Sequence, residues 1–208
     1  IPTVVTSYGQ YQNVFGTIFT SGSVKQEYLT SLAVKSYFNN GGNSVLVTRV
    51  VSGDFTSATT TAITDVSGSG TSPFTLKTIG QGALYNSSGS EGSDGSLTTG
   101  TEDNLRFEIT NKDDQNGTFS LLIRRGDDNA KNKVIVETWN DLSLDPNSPN
   151  YIEAVIGNQY KQVAEDGDGT KYIETVGEYV NRSNYIYVSA VNSQTINYLG
   201  NDGITVNV

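Results

Sequence analysis

The sequence predicts an α+β fold that is mainly β: a β-sandwich or barrel-like domain with a flanking N-terminal helix-strand (α/β) segment. Three observations predict it. Short runs that alternate polar with apolar or aromatic residues recur between residues 74 and 191. The 22 glycines, with abundant Ser, Thr and Asn, supply the turns that many short strands need. Helical spacing is confined to residues 8–42 and one short stretch near residue 150.

Residues 1–7 are β-branched and open as a strand. Tyr11, Val14 and Phe15 lie at helical spacing ahead of Gly16, which predicts one or two helical turns over 8–15. Ser23, with Gln26 three positions on, makes a capping box that would start a second helix. Tyr28, Leu29, Leu32, Ala33 and Phe38 or Tyr37 form its expected buried side, and Asn39-Asn40-Gly41-Gly42 its end. Residues 44–51 follow as a buried strand, completing a helix, glycine pair and strand.

Residues 52–72 are rich in Ser, Thr and Gly and read as a connection, with a short strand near 60–66. Residues 74–79 and 105–110 alternate as strands. Between them, 87–103 holds too few apolar residues to pack and is expected to be a mobile, solvated loop. The runs 119–124 and 133–139 flank Gly126-Asp127-Asp128-Asn129, so the pair reads as a β-hairpin. Residues 140–146 end the second strand. Ser148 and Pro149 then predict a short helix with an N-cap hydroxyl and a proline at its first position. Tyr151, Ile152, Val155 and Ile156 give that helix an apolar stripe, and Gly157 caps it. Strands over 159–163, 172–176 and 185–191 complete the pattern, the first two joined by the turn Glu165-Asp166-Gly167-Asp168-Gly169.

The chain is 208 residues long, enough for one good core or two small ones. Its formal charge is -9, so the attraction that drives basic proteins onto nucleic acid is absent, and anionic lipid is repelled: neither nucleic acid nor membrane is an expected partner. With no Cys and no His, disulfides, thiol nucleophiles, zinc sites of the usual ligand types and the commonest neutral-pH general base are excluded. No apolar run approaches the roughly 20 residues that cross a bilayer as a helix. A chain with no Met that begins Ile1-Pro2 is expected to be a piece of a longer one.

Several strings, in order, carry a family resemblance. The chain reads VVTSYGQYQNVFG over 4–16, AVKSYFNNGG over 33–42, VLVTRV over 45–50 and NDLSLDPNSPNYIEAVIG over 140–157. It adds GQGALYN over 80–86 and INYLGNDG over 196–203. This chain resembles the contractile tail sheath proteins of bacteriophages, departing from their pattern at Leu84-Tyr85, where Trp-Gly is usual, and in the inserted 87–103. The resemblance implies three parts: 1–52 as the N-terminal α/β segment of the sheath core region, 53–191 as the β-rich outer domain, and 192–208 as a connection toward a C-terminal core domain. It also implies a structural protein of the virion tail, assembled in the host cytoplasm. Its partners would be other sheath subunits, in six-fold rings stacked as a helix, and the tail tube that contraction drives through the cell envelope for genome ejection. The missing parts make most of those contacts, so the chain alone is expected to be a monomer. A β-sandwich module that binds a receptor or carbohydrate is the alternative reading of the same β-richness and acidity.

No catalytic, cofactor-binding or metal-ligating residue is assigned. Arg125-Gly126-Asp127 matches a tripeptide that integrins recognise, but a turn wants Gly and Asp in any case. Glu165 to Gly169 lacks the full ligand set of a calcium loop. Asp113-Asp114 and Asp127-Asp128 read as hydrated loop acids. The acceptor patterns at Asn86, Asn116 and Asn181 read as accidents of composition. Trp139 and the tyrosines read as core or interface residues ahead of a sugar platform.

Overall fold

The computed structural model describes residues 1–21, 24–52, 56–60, 72–82 and 91–207. It is mainly β, with three short helices among the described residues and antiparallel sheets throughout. The residues cluster around two separate cores, one drawn from 5–47 and one from 74–191.

In the N-terminal lobe, β1 (Thr3–Val5) pairs antiparallel with β4 (Val45–Val47). Between them α1 (Tyr8–Phe15) starts at Ser7, whose hydroxyl accepts from Gln10 N at 3.1 Å, and stops at Gly16. Residues 18–27 depart from expectation. They form a hairpin of β2 (Ile18–Ser21) and β3 (Val24–Glu27), in which Gln26 pairs with Phe19 in the ladder instead of closing a capping box. The helix α2 (Leu29–Asn39) therefore begins after Tyr28, without a side-chain cap. Ser23 lies outside the described residues.

The buried side of α2 also differs from the expected one. Ser31 and Val34 are buried and Phe38 packs behind them, whereas Leu29, Leu32, Ala33 and Tyr37 face outward. The cause is the aromatic ladder of α1. Tyr8, Tyr11 and Phe15 stack along one side of that helix, and Tyr8 Oη lies 2.8 Å from Ser31 Oγ. A small hydroxyl residue fits against a tyrosine edge where a leucine would not. The expected buried strand over 44–51 shrinks to β4, with Val45 and Val47 packed inward while Leu46 and its partner Val4 are exposed.

The main body holds two three-stranded sheets. One has β6 (Phe74–Gln81) in the middle, flanked by β5 (Ser57–Thr59) and β12 (Ile186–Val191). The other has β8 (Thr118–Arg125) between β7 (Leu105–Asp113) and β9 (Ile135–Ser143). Phe74 and Leu76 of β6, Ile186 and Val188 of β12, Leu121 and Ile123 of β8 and Leu142 of β9 share one core. Phe74 stacks on Phe119 across it, with ring centroids 5.5 Å apart. Each fully buried Leu, Ile or Phe contributes about 1.5–3 kcal/mol. The short strand expected near 60–66 falls almost wholly outside the described residues.

The predicted hairpin is β8 and β9, but β9 does not end at residue 139. It continues to Ser143 through a bulge in which Asp141 takes φ 55, which turns Leu142 and Ser143 into the core. A second bulge, with Asn111 at φ 47, lies on the opposite side of β8 at the same level. The helix α3 (Ile152–Ile156) starts later than Ser148 and Pro149 predict. Ser148 closes a turn ahead of it instead: Tyr151 N donates to Ser148 O at 3.1 Å, and Tyr151 bridges Ser143. Its stripe is as expected, with Tyr151, Ile152 and Ile156 buried and Val155 partly so.

Beyond α3, β10 (Tyr160–Glu165) and β11 (Lys171–Val176) form a two-stranded hairpin with most of its side chains exposed. Within the stretch read as a solvated loop, residues 91–103 are held by polar contacts, not apolar ones. Glu91 bridges Leu97, and Ala130 N donates to Asp94 O at 3.0 Å.

Candidate functional site

The densest polar chemistry lies at the turn between β8 and β9. Asp128, read from sequence as a hydrated loop acid, is instead fully buried. Arg124 grips both of its oxygens, Nε to Oδ2 at 2.7 Å and Nη2 to Oδ1 at 2.9 Å. Arg106 of β7 adds a contact to Oδ1 at 3.1 Å, and Val134 N donates to Oδ2 at 3.0 Å. Two guanidiniums from neighbouring strands supply the charge that burial of a carboxylate requires. Around this hub, Arg106 reaches Glu91 at 2.6 Å, and Glu108 joins Arg124 at 2.9 Å and Lys133 at 2.7 Å. Sequence reasoning missed the hub; the one local signal was an arginine set inside each of two alternating strands.

Hydrogen bonding from Lys133, with the nearby Arg124 charge, holds the Glu108 carboxyl below its usual pKa of 4.5. Its folded pKa is depressed, so its contribution to stability is full above about pH 4.5 and is lost as pH falls through the lower folded value. Asp94, Asp113 and Asp202 are lowered too, by hydrogen bonds from Ser96, Asn116 and Thr205. Urea midpoints are therefore expected to fall below pH 4.5, and Glu108→Gln is expected to shrink that fall. An identical pH profile for the variant would contradict the role given to Glu108.

The Arg125-Gly126-Asp127 tripeptide is closed on itself. Arg125 Nε lies 2.6 Å from Asp127 Oδ1 and Nη2 lies 3.1 Å from Oδ2, so the two charges that a receptor would read neutralise each other. In the turn after β10, Asp166 Oδ1 accepts from Asp168 N and Thr170 N, which is turn closure. Among the described residues no group of three or more acidic side chains is placed to hold a metal ion. Asp113 similarly accepts from Gln115 N and Asn116 N.

Trp139 is partly buried at the edge of the main core, and its indole N–H donates to Glu137 Oε2 at 3.2 Å. Glu137 also accepts from Ser183 Oγ at 2.6 Å and Asn184 N at 2.9 Å, tying β9 to the segment before β12. Tyr151 packs edge-on to Tyr179, and its burial pushes the phenol up to about 12. Tyr160 stacks on Tyr187 at 5.4 Å. Tyr172 is exposed on the β10–β11 hairpin. The side chain of Asn181 is engaged by Gln159, whose N–H it accepts at 3.1 Å. Asn86 lies outside the described residues.

No family model, curated protein or solved structure matches the chain.

The remaining feature is a set of exposed apolar side chains. In the N-terminal lobe, Leu29 is 83 % exposed and Val50 92 %, with Val4, Leu46, Leu32 and Tyr37 also turned outward. An open groove is lined by Ala33, Ser36, Tyr37 and the 40–43 turn. The lobe's charged side chains are Lys25, Glu27, Lys35 and Arg49, so a weakly basic, apolar lobe sits on a strongly acidic domain.

Proposed function

We propose that this chain is a non-enzymatic piece of a contractile tail sheath subunit, comprising the N-terminal α/β segment and an outer β-sandwich domain. The observation that carries the reading is the 140–157 string. Its strand end, loop, short helix and glycine cap form one continuous element whose Leu142, Tyr151, Ile152 and Ile156 are buried in the main core. The string that resembles the sheath proteins is a framework element, which supports the reading. The exposed apolar side chains on α2, β1 and β4 add support, because a lobe covered by the remainder of a subunit would show such side chains when alone.

The mechanism implied is mechanical. Repeating, head-to-tail contacts build rings and a helical stack around the tail tube. Two packings of that lattice differ in free energy, and the difference is released when the sheath shortens. The acidic β-domain would face outward, where like charge on many copies favours solubility.

Sedimentation of the chain alone should give a monomer; a stable hexamer would contradict the placement of its lattice contacts elsewhere. The alternative, a receptor- or carbohydrate-binding β-sandwich, has the exposed Tyr172 and Ile173 of the β10–β11 hairpin in its favour. A glycan array separates the two, since specific capture of one sugar class favours the alternative and no capture favours the sheath piece.

A further inference from the structure

The two lobes have separate cores, and α1 lies beside β6 where they meet. At that junction Gly16, at φ 73, ends α1 and points the next two amides away from the helix. Asp103 receives them. Its Oδ2 accepts from Thr17 N at 2.9 Å and from Ile18 N at 3.0 Å, and its Oδ1 accepts from Thr17 Oγ1 at 3.2 Å. Glu102 Oε1 also lies 3.3 Å from that hydroxyl. Thr17 is only 3 % exposed, so water has little access to these bonds.

Both ends of the contact are anchored. Asp103 sits in a turn that does not depend on its own side chain: Thr101 Oγ1 accepts from Asp103 N and Asn104 N, and Thr101 N donates to Asn104 Oδ1 at 2.5 Å. The turn is fastened to the β-domain through Gly126 N, which donates to Asn104 O at 2.7 Å. On the other side Thr17 O accepts from Tyr28 N at 3.0 Å, which links the contact to the start of α2. A carboxylate accepting from two backbone amides makes charge-assisted bonds, about twice as strong as neutral ones.

We propose that Asp103 is a clasp that fixes the orientation of the N-terminal lobe on the β-domain, and that breaking it lets the lobes move as two bodies. The inference is independent of the sheath reading, because it concerns only contacts within one chain.

The absence of native cysteine makes the test clean. Cysteines replacing the exposed Thr30 on α2 and Thr138 on β9 would carry spin labels, and pulsed dipolar spectroscopy would read the distance between lobes. The parent background is expected to give one narrow distribution. Asp103→Ala should broaden it, while Trp139 fluorescence, which reports the β-domain alone, stays unchanged. Asp103→Asn keeps an oxygen for the two amides and can donate to the Thr17 hydroxyl, so it should retain the narrow distribution. An equally narrow distribution in Asp103→Ala would overturn the proposal. So would broadening by Asp103→Asn as large as that by alanine, or loss of the folded Trp139 signal in Asp103→Ala, which would make Asp103 a folding residue.

Discussion

Replacing Asp128 by alanine is expected to lower the unfolding free energy by about 3–5 kcal/mol, the cost of leaving a buried charge without its partner. Here two largely buried cations each lose one partner, since the side chains of Arg106 and Arg124 are 11 % and 8 % exposed. Arg124 would keep Glu108, and Arg106 would keep Glu91, which sets the loss at the lower part of that range. The turn also loses an acceptor for Val134 N, at the point where the chain enters β9. In a domain of this size each kcal/mol moves the melting temperature by about 2–4 °C, so a fall of roughly 6–12 °C is expected. Asp128→Asn keeps an acceptor in place and should fall between. A melting temperature within about 2 °C of the parent would show that the hub is a surface feature.

Gly157→Ala is expected to cost about 2–4 kcal/mol, combining backbone strain with overpacking. The residue has φ 108, a conformation that a side chain resists, and an added Cβ would run into the backbone of Asn181. That approach is close because this turn is stitched to the 179–182 segment and to β12. Asn158 N donates to Tyr179 O at 3.0 Å, Arg182 N to Ile156 O at 2.8 Å and Val188 N to Gly157 O at 2.9 Å. Moving the two segments apart to admit a methyl group would break those bonds and disturb Ile156, which is fully buried. Gly9→Ala is the matched control: it lies in α1 with open space around it, and alanine there should be neutral or slightly stabilising. Equal melting temperatures for Gly157→Ala and the parent would contradict the structure at this turn.

The parts legible in sequence were those with a local cause. Alternation over 119–124 and 133–139 around a Gly-Asp turn predicts the β8–β9 hairpin because ladder pairing and side-chain direction follow from period two. Gly16 and Gly157 were legible as helix ends for the same reason. The buried face of α2 was not legible. Leu29, Leu32, Ala33 and Tyr37 make the stronger apolar stripe, and only the position of Tyr8, more than twenty residues earlier, decides that Ser31 and Val34 turn inward. The start of α2 was missed because a capping-box pattern competes with strand pairing between 18–21 and 24–27, and the ladder satisfied more backbone groups.

The charged hub was illegible for a similar reason. Arg106 and Asp128 are 22 positions apart, and only the register of β7 on β8 brings them together. Asp103 likewise gave no signal of its own, since its partners lie 85 and 86 positions earlier. The resemblance strings at 4–16, 33–50 and 140–157 fell on β1 and α1, on α2 and β4, and on the end of β9 with α3. The string at 196–203 falls instead on turns outside any helix or named strand, and the one at 80–86 lies only partly within the described residues.

The most direct test of the central claim is immunogold electron microscopy of intact tailed particles, using antibody raised against this polypeptide. A sheath subunit predicts gold along the whole length of the tail cylinder, in extended and in shortened particles alike. Gold restricted to fibres, spikes or the baseplate would contradict it.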